Sequence, residues 1–313
     1  MNKGKLGESA LKRSVLNRTA EYNKKAVARI GADAGFFEVG DKKMLMSSAS
    51  VSGSDKGNGE LCVVRAVNSM AAAGGTPCAA AVTFVVPKEA PEEYAKRMSD
   101  EVVRACKVCN VNLVSGNTLI GEEACVSAVV TGEKKFELSP PGKEEARVLI
   151  MTGFAGSTGA AMLAEKRLDA LAERLTHEFI HKAIADFSSI GSFEKAYAIA
   201  SNCKGKTAMH DISEGGVFGA LWELLEREDA GCIVNLKDIP IRQSTVEVCE
   251  ILNVSPYQLR GDGGLLAIVE DTPENRALGK VIGTVDNTAD RVVVNGEEKR
   301  FLEPNRFDGY YEI

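Results

Sequence analysis

The sequence contains no apolar run of about eighteen residues, and its first residues lack the apolar core of a signal peptide. Both absences predict a soluble, cytoplasmic protein without a membrane partner. An excess of basic residues is missing as well, since 38 Lys and Arg stand against 44 Asp and Glu and give a net charge of −6. This balance argues against a nucleic-acid partner, because binding to phosphate backbones requires a positive surface.

Metal and redox motifs are scarce. Among the eight cysteines, only Cys106 and Cys109 have ligand spacing, and neither a second C-x-x-C nor a nearby His accompanies them. The cysteines instead resemble buried thiols of a reducing compartment. Residues His177 to His181 have the H-E-x-x-H form of zinc peptidases, but the charged Lys182 follows and no third ligand is evident. We therefore interpret this segment as a solvated helix face, and a metallopeptidase is only a remote third hypothesis.

The segments that are present indicate a two-domain α/β and α+β protein. The 313 residues exceed one compact core and predict two domains, 1–138 and 145–313, with the boundary near Pro140 and Pro141. Strand-like and helix-like segments alternate in the first half, and a strand, a glycine loop and a helix restart the second. Local patterns predict a helical docking arm over 6–25, a mobile polar loop over 52–60, a polar turn over 115–118 and helix over 168–187.

The most unusual stretch is Met209 to Ala220, which reads M-H-D-I-S-E-G-G-V-F-G-A. Asp211 and Ser213 are side chains that favour a helix N-terminus, and Gly215-Gly216 leaves backbone N–H groups uncovered where the helix dipole is positive. Such a place can bind an anion or a metal-bound phosphate. The alternative is an ordinary helix cap, and the segment alone does not decide between them.

Two further segments are ambiguous when taken singly. The glycine loop from Gly153 to Gly159 could surround phosphates, but it has neither the lysine of a P-loop nor the G-x-G-x-x-G pattern. A tight turn explains it equally well. Asp33, in the sequence G-A-D-A-G, is either a metal-binding carboxylate or the acid of an Asx turn.

The ordered combination of motifs is more informative than any one of them. G-A-D-A-G at 31–35, V-N-S-M-A-A-A-G-G-T-P at 67–77, S-G-N-T at 115–118, the glycine loop at 153, H-D-I-S-E-G-G-V at 210–217 and G-D-G-G-L-L at 261–266 follow one another. Together they resemble the superfamily of aminoimidazole ribonucleotide (AIR) synthetase, selenophosphate synthetase, thiamine-monophosphate kinase and the hydrogenase-maturation carbamoyl dehydratase. The resemblance covers nearly the whole chain and is nearest to the AIR synthase-related, hydrogenase-maturation-like group.

This resemblance implies a fold and a reaction. It implies an N-terminal AIR-synthetase-like domain whose sheet pairs into a barrel across a homodimer, plus a C-terminal α+β sandwich. It also implies ATP and Mg²⁺ as cofactors, and phosphorylation of an oxygen of a small-molecule substrate. By the same resemblance, Asp211 and Asn117 are catalytic, and Asp33, Asn117 and Asp211 bind the metal. The implied cofactor-binding residues are Asp33, Asn68, Thr118, Gly153, Gly156, Ser157, Gly159, Gly215 and Gly216.

The chain also departs from the superfamily pattern. Ala32, Ala49, Ser69 and Asn117 stand where relatives commonly carry an acid, or His at the last position. Loss of carboxylates weakens Mg²⁺ binding, so the alternative hypothesis is a diverged, catalytically weakened relative that binds a nucleotide or another anion in a regulatory or assembly role. No cysteine follows Cys249, which argues against the reaction that the hydrogenase-maturation enzyme performs on a C-terminal cysteine.

Overall fold

The computed structural model describes residues 4–22, 29–304 and 307–313. The chain forms two compact units. The small unit is Asp33–Lys135, and the large unit joins the described residues before Asp33 to Phe136–Ile313. The N-terminal arm therefore groups with the large unit, and the functional domains 1–138 and 145–313 stay a prediction. Part of the predicted arm, 23–25, lies outside the described residues.

The small unit is one sheet covered by two helices. Its strand order is β1-β2-β5-β3-β4, with β3 and β4 parallel and the other neighbours antiparallel. Alternate residues of the central strand, Val126, Ala128 and Val130, are buried under the first long helix, as a half-covered sheet requires. The elements are β1 (Gly35–Val39), β2 (Lys42–Ser52), α3 (Asn58–Ala72), β3 (Gly75–Pro87), α4 (Glu92–Val108), β4 (Asn112–Gly121) and β5 (Cys125–Lys134).

Two local predictions in this unit were wrong. Helix α3 begins at Asn58, inside the predicted loop, because the buried carboxylate of Glu101 accepts hydrogen bonds from the amides of Gly57 and Gly59, both at 3.0 Å. The predicted turn at 115–118 lies within strand β4. Gly116 is needed there because a Cβ would come within 2.4 Å of the carbonyl oxygen of Val82 on β3. The prediction failed because the polar residues of this exposed edge strand have the composition that is typical of a turn.

The large unit is built on a seven-stranded sheet of order β12-β11-β8-β10-β6-β9-β7, antiparallel except between β11 and β8. Its strands are β6 (Arg147–Thr152), β7 (Ala208–Ile212), β8 (Gly231–Asn235), β9 (Gly264–Glu270), β10 (Lys280–Asp286), β11 (Arg291–Asn295) and β12 (Glu298–Phe301). Its helices are α1 (Glu8–Leu11), α2 (Asn17–Tyr22), α5 (Ser157–Lys166), α6 (Leu168–Ala172), α7 (His177–Ala185), α8 (Phe193–Asn202), α9 (Gly216–Glu228), α10 (Gln243–Leu252) and α11 (Pro273–Arg276).

Helix α9 supplies much of the core of the large unit. Val217, Leu221, Leu224 and Leu225 are buried in one cluster with residues of β6, β8 and β9. The prediction of one helix over 168–187 was wrong, since the structure has the separate helices α6 and α7 there. The chain begins a new helix because Thr176 caps α7 by accepting a hydrogen bond from the amide of Phe179. The helix predicted over 6–25 is confirmed over its described part, with a π-helical segment, Lys12–Leu16, between α1 and α2. None of the described helices has the length and apolar composition that a bilayer span requires.

Candidate active site

Asp211 is positioned by the junction between β7 and α9. All five residues of β7 are buried, and Asp211 lies opposite Leu265 on β9 with only 4% of its surface exposed. The chain then turns through Gly215 and enters α9 at Gly216. A carboxylate is thus fixed at the start of a buried helix, which is where the sequence motif predicted a functional acid.

The two glycines at this junction are required by the backbone. Gly215 and Gly216 have φ values of 88° and 65°, in the left-handed region, and a Cβ on Gly216 would lie 2.6 Å from the carbonyl oxygen of Tyr257. The amide of Gly215 donates to Oδ2 of Asp308 at 3.4 Å. An internal carboxylate therefore occupies part of the helix N-terminus, and the proposed contact of these glycines with a bound ligand stays a prediction.

Asp308 belongs to a buried ionic network in the last described segment. Its Oδ2 also accepts from Nε of Arg260 at 3.0 Å, and its Oδ1 accepts from the amide of Tyr310 at 2.9 Å. The guanidinium of Arg260 lies 4.2 Å from the ring centre of Tyr310, while Nη2 lies 3.6 Å from Glu214. Tyr311 donates its hydroxyl to Glu214 at 2.6 Å. These contacts fasten residues 308–311 to the start of α9.

A second charged group connects the N-terminal arm to the same helix. Nζ of Lys5 donates to both carboxylate oxygens of Glu223 at 2.7 Å, and Nε2 of His210 lies 3.0 Å from Oε2. Because an ionised carboxylate only accepts hydrogen bonds, Nε2 carries the proton. Lys5 and Glu223 line a cavity of about 250 Å³ together with apolar residues that include Leu6 and Trp222.

The charges of this group shift two pKa values in opposite directions. Burial opposes the charge of Lys5, but Glu223, with help from Asp211 and Glu214, raises its pKa above the ordinary value. Burial alone would raise the pKa of Glu223, yet the ammonium of Lys5 and the hydrogen bond from His210 lower it to about 2. Lys5 and Glu223 are therefore both charged at neutral pH and form an ion pair on α9.

Replacing Glu223 by Gln is expected to lower stability at neutral pH by about 2 kcal/mol. The folded pKa is depressed, so the carboxylate contributes stability fully above pH 4.5, and this contribution is lost as the pH falls towards 2. Urea unfolding of wild type and Glu223→Gln, followed by tryptophan fluorescence at pH 7 and below pH 4, measures the difference. The exposed Glu250→Gln is the control. An equal loss of stability at both pH values would contradict the assignment.

The predicted glycine loop packs against the segment 256–264. The added Cβ atoms at Gly153, Gly156 and Gly159 would lie 2.7 Å from Gly264, 2.6 Å from Pro256 and 2.4 Å from Leu259. Gly156, Ser157 and Gly159 are buried, and the amide of Gly159 donates to the carbonyl of Arg260. Close packing thus explains these glycines, and their role in phosphate contact stays a prediction. The structure brings this loop and the Gly215-Gly216 turn against one shared segment.

The predicted residues of the small unit lie in three different places. Asp33 is half-buried before β1, Asn68 is buried in α3, and Asn117 and Thr118 are exposed on β4. The amide of Thr118 donates to Oδ1 of Asn117 at 2.9 Å. Within this unit the structure does not show Asn117 in contact with Asp33 or Asn68, and the metal and cofactor roles of all four remain predictions.

The H-E-x-x-H segment and the Cys106–Cys109 pair are both described by the structure. His177, Glu178 and His181 are all exposed on α7, which confirms a solvated helix face. Neither histidine belongs to a group of three or more possible metal ligands among the described residues. Burial raises the pKa of the Cys106 thiol and raises that of Cys109 to about 11. Both thiols are therefore protonated at neutral pH.

Comparison with known proteins assigns this two-unit fold to a family. Residues 31–133 match the family model "AIR synthase related protein, N-terminal domain", and residues 144–292 match "AIR synthase related protein, C-terminal domain". The chain belongs to the AIR synthase related family, which confirms the resemblance found in its motifs.

The chain is similar in sequence to a carbamoyl dehydratase and to a thiamine-monophosphate kinase, among other proteins. The chain is 27% identical over 228 residues to the carbamoyl dehydratase HypE of Rhodobacter capsulatus, covering 70% of this chain but only 64% of that protein. It is 23% identical over 227 residues to the thiamine-monophosphate kinase of Pyrococcus abyssi, covering 70% of each chain. The crystal structure of HypE in complex with ATP superimposes with a TM-score of 0.71 at 18% identity, over 96% of each chain, and so shares the fold.

Four charged residues of the large unit were not singled out from the sequence. Lys5 directly precedes the segment 6–25 that was interpreted as a docking arm, and Glu223 looks like any acid on an amphipathic helix. Arg260 and Asp308 border motifs of the family but carry no local signature. Contacts between segments more than 200 residues apart, such as Lys5 with Glu223, have no spacing that a single sequence reveals.

Proposed function

We propose that this protein is an ATP-dependent enzyme that transfers a phosphoryl group to an oxygen atom of a small molecule. The observation that carries the proposal is the match of both halves of the chain to the AIR synthase related family, together with the buried Asp211 at the β7–α9 junction. Support comes from two similar proteins. One relative in sequence is named carbamoyl dehydratase HypE, and a HypE of the same fold was crystallised in complex with ATP.

In the proposed reaction, a substrate oxygen attacks the γ-phosphorus of ATP, the bond to the β,γ-bridging oxygen breaks, and ADP leaves with that electron pair. Asp211 would bind the metal, with Asp33 and Asn117 as the further proposed ligands. Lys5 would place a positive charge near the developing charge on the phosphates. Gly215 and Gly216, the 153–159 loop, Asn68 and Thr118 would contact the nucleotide.

The residues present suit a magnesium ion. Asp211 is a buried carboxylate at the end of β7, and carboxylate oxygens are the ligands that Mg²⁺ prefers. Ala32, Ala49 and Ser69 contribute no carboxylate, so the set suits one ion better than several. When bound, Mg²⁺ would neutralise the triphosphate and favour departure of ADP.

The second candidate function is binding without turnover. The neutral residues at 32, 49, 69 and 117 favour it, because they remove charge that relatives commonly use. In that case the protein would bind ATP or another anion and act as a regulatory or assembly component in the cytoplasm.

An ADP-release assay over candidate amides, carboxamides, alcohols and phosphate monoesters separates the two functions. The enzyme hypothesis predicts that at least one substrate increases ADP formation well above the rate with ATP alone, and that the increase is lost in Asp211→Asn. Saturable ATP binding with no stimulation by any substrate would support the second function instead.

We further propose that the protein is a homodimer formed through the sheet of the small unit. Strand β4 is an edge, and every residue from Asn112 to Ile120 is exposed. Val114 and Ile120 are 66% and 72% exposed, and Met46 and Phe36 add apolar surface on the other strands. A long edge strand that exposes large apolar side chains is rarely left uncovered, because it invites pairing with another strand. In one chain this sheet is open, and a second copy would close it.

Ile120→Glu is expected to convert the dimer to a monomer, since a carboxylate cannot be buried in an apolar interface without a partner. Light scattering at micromolar concentration measures the mass. Val108→Glu is the matched control, because Val108 is 78% exposed but lies on helix α4. A monomeric wild type, or a dimer that persists in Ile120→Glu, would contradict the proposed interface.

A further inference from the structure

Two basic side chains of the large unit, Lys195 and Arg242, lie beside the glycine loop. Lys195, on α8, donates from Nζ to the carbonyl oxygen of Gly263 at 2.8 Å. Arg242, the residue before α10, places its guanidinium carbon 4.4 Å from the ring centre of Phe154. Phe154 is 37% exposed, so this group reaches the surface.

These two cations have only one carboxylate, that of Asp186, within ion-pair distance among the described residues. Asp186 pairs with Arg242, with 2.7 Å between Oδ1 and Nη1, and its other oxygen accepts from Ser244 at 2.6 Å. Lys195 has no carboxylate within ion-pair distance among the described residues. Burial and the charge of Arg242 lower the pKa of Lys195. Nε of Arg242 is buried and lacks a hydrogen-bond partner in the part of the chain that the structure describes.

The backbone holds both cations on the same pair of loops. The amide of Ala155 donates to the carbonyl of Pro240 at 2.8 Å, which ties the glycine loop to the segment that carries Arg242. Gly153 packs so closely on Gly263 that a Cβ would lie 2.9 Å from the carbonyl oxygen that Lys195 contacts. The two basic groups are therefore positioned before any ligand arrives, which reduces the entropy cost of binding one.

We propose that Lys195 and Arg242 bind an oxyanion, the carboxylate or phosphate group of a small-molecule substrate. Asp186 offsets the charge of Arg242 only, so the charge of Lys195 is not balanced, and the other donors of Lys195 together with Nε of Arg242 can bind oxygen atoms of an anion. The exposed edge of Phe154 offers apolar contact to the body of the same molecule. The site implies that the substrate of the proposed function carries a negatively charged group. Only the identification of the ligand as that substrate rests on the proposed function.

Calorimetric titration without nucleotide tests the site directly. Inorganic phosphate and propionate serve as separate probes for the two oxyanions. We expect at least one of them to bind to wild type, and Lys195→Gln to weaken that binding about tenfold through loss of one charged hydrogen bond. Lys195→Arg keeps the charge and is expected to retain binding. Lys182→Gln, a change at an exposed lysine of the neighbouring helix α7, is expected to bind as wild type does.

The proposal is overturned if neither probe binds wild type at tens of millimolar, or if Lys195→Gln binds as tightly as wild type. If Lys195→Gln fails to fold, a comparison of the single variants Lys195→Arg and Arg242→Lys decides. Arg242→Lys keeps the charge but loses the planar guanidinium, so it is expected to bind the oxyanion more weakly than Lys195→Arg does. ATP binding, measured on the same preparations, separates the two ideas. ATP binding without oxyanion binding contradicts this site alone, and oxyanion binding without ATP binding contradicts only the proposed function.

Discussion

Asp308→Asn is expected to lower the free energy of unfolding of the large unit by about 3–5 kcal/mol, because it leaves a buried charge without its main partner. Arg260 and Asp308 have side chains that are 1% and 0% exposed, and they meet at 3.0 Å. The amide variant keeps the size of the side chain but not its charge. The amide of Gly215 would also lose the carboxylate at the start of α9.

Urea unfolding followed by tryptophan fluorescence measures this effect in the correct unit, since the single tryptophan, Trp222, lies in α9. Glu312→Gln is the matched control, an exposed acid of the same segment that is expected to change stability by no more than about 0.5 kcal/mol. A double-mutant cycle with Arg260→Met isolates the pair. A loss below about 1 kcal/mol for Asp308→Asn would show that the network contributes little to folding.

Asp211→Asn is expected to weaken Mg²⁺-dependent ATP binding by about 10–100-fold, the usual effect of removing one metal-site carboxylate interaction. Asparagine preserves the shape of the buried side chain, so the change removes charge and little packing. Calorimetric titration of ATP in the presence of Mg²⁺ gives the affinity of each variant. The same titration in the presence of EDTA shows how much of the affinity depends on the metal.

Two controls make the Asp211 result specific. Asp169→Asn removes an exposed acid of α6 in the same unit and is expected to bind ATP as wild type does. Unfolding measurements on Asp211→Asn confirm that the variant is folded at the temperature of the titration. Unchanged affinity and unchanged dependence on Mg²⁺ would show that Asp211 is not part of the metal site.

The sequence was sufficient to predict the family and much of the fold because its signals there are local and repeated. The glycine at 216 marks the helix start at β7–α9, and the apolar spacing of Val217, Leu221 and Leu224 predicts its buried face. Predictions failed where tertiary contacts overrode local composition. Glu101 converts part of a polar loop into the start of α3, and pairing with β3 extends the polar 115–118 segment into a strand.

The candidate site was less accessible to sequence reasoning. Asp211 stands in a motif, but its neighbour Lys5 comes from an arm about 200 residues earlier, and the Arg260–Asp308 pair joins segments 48 residues apart. Charge pairing over such separations is decided by the packed fold. The glycines at 153, 156 and 159 illustrate a further limit, because close packing on 256–264 accounts for their sequence pattern whether or not the loop also contacts phosphate.

Titration of ATP into the wild-type protein, with and without Mg²⁺, tests the central claim most directly. We expect saturable binding that requires Mg²⁺ and is weakened by Asp211→Asn but not by Asp169→Asn. No detectable binding at millimolar ATP in the presence of Mg²⁺ would contradict the proposed ATP-dependent enzyme, and would leave only the binding of another anion from the alternative function.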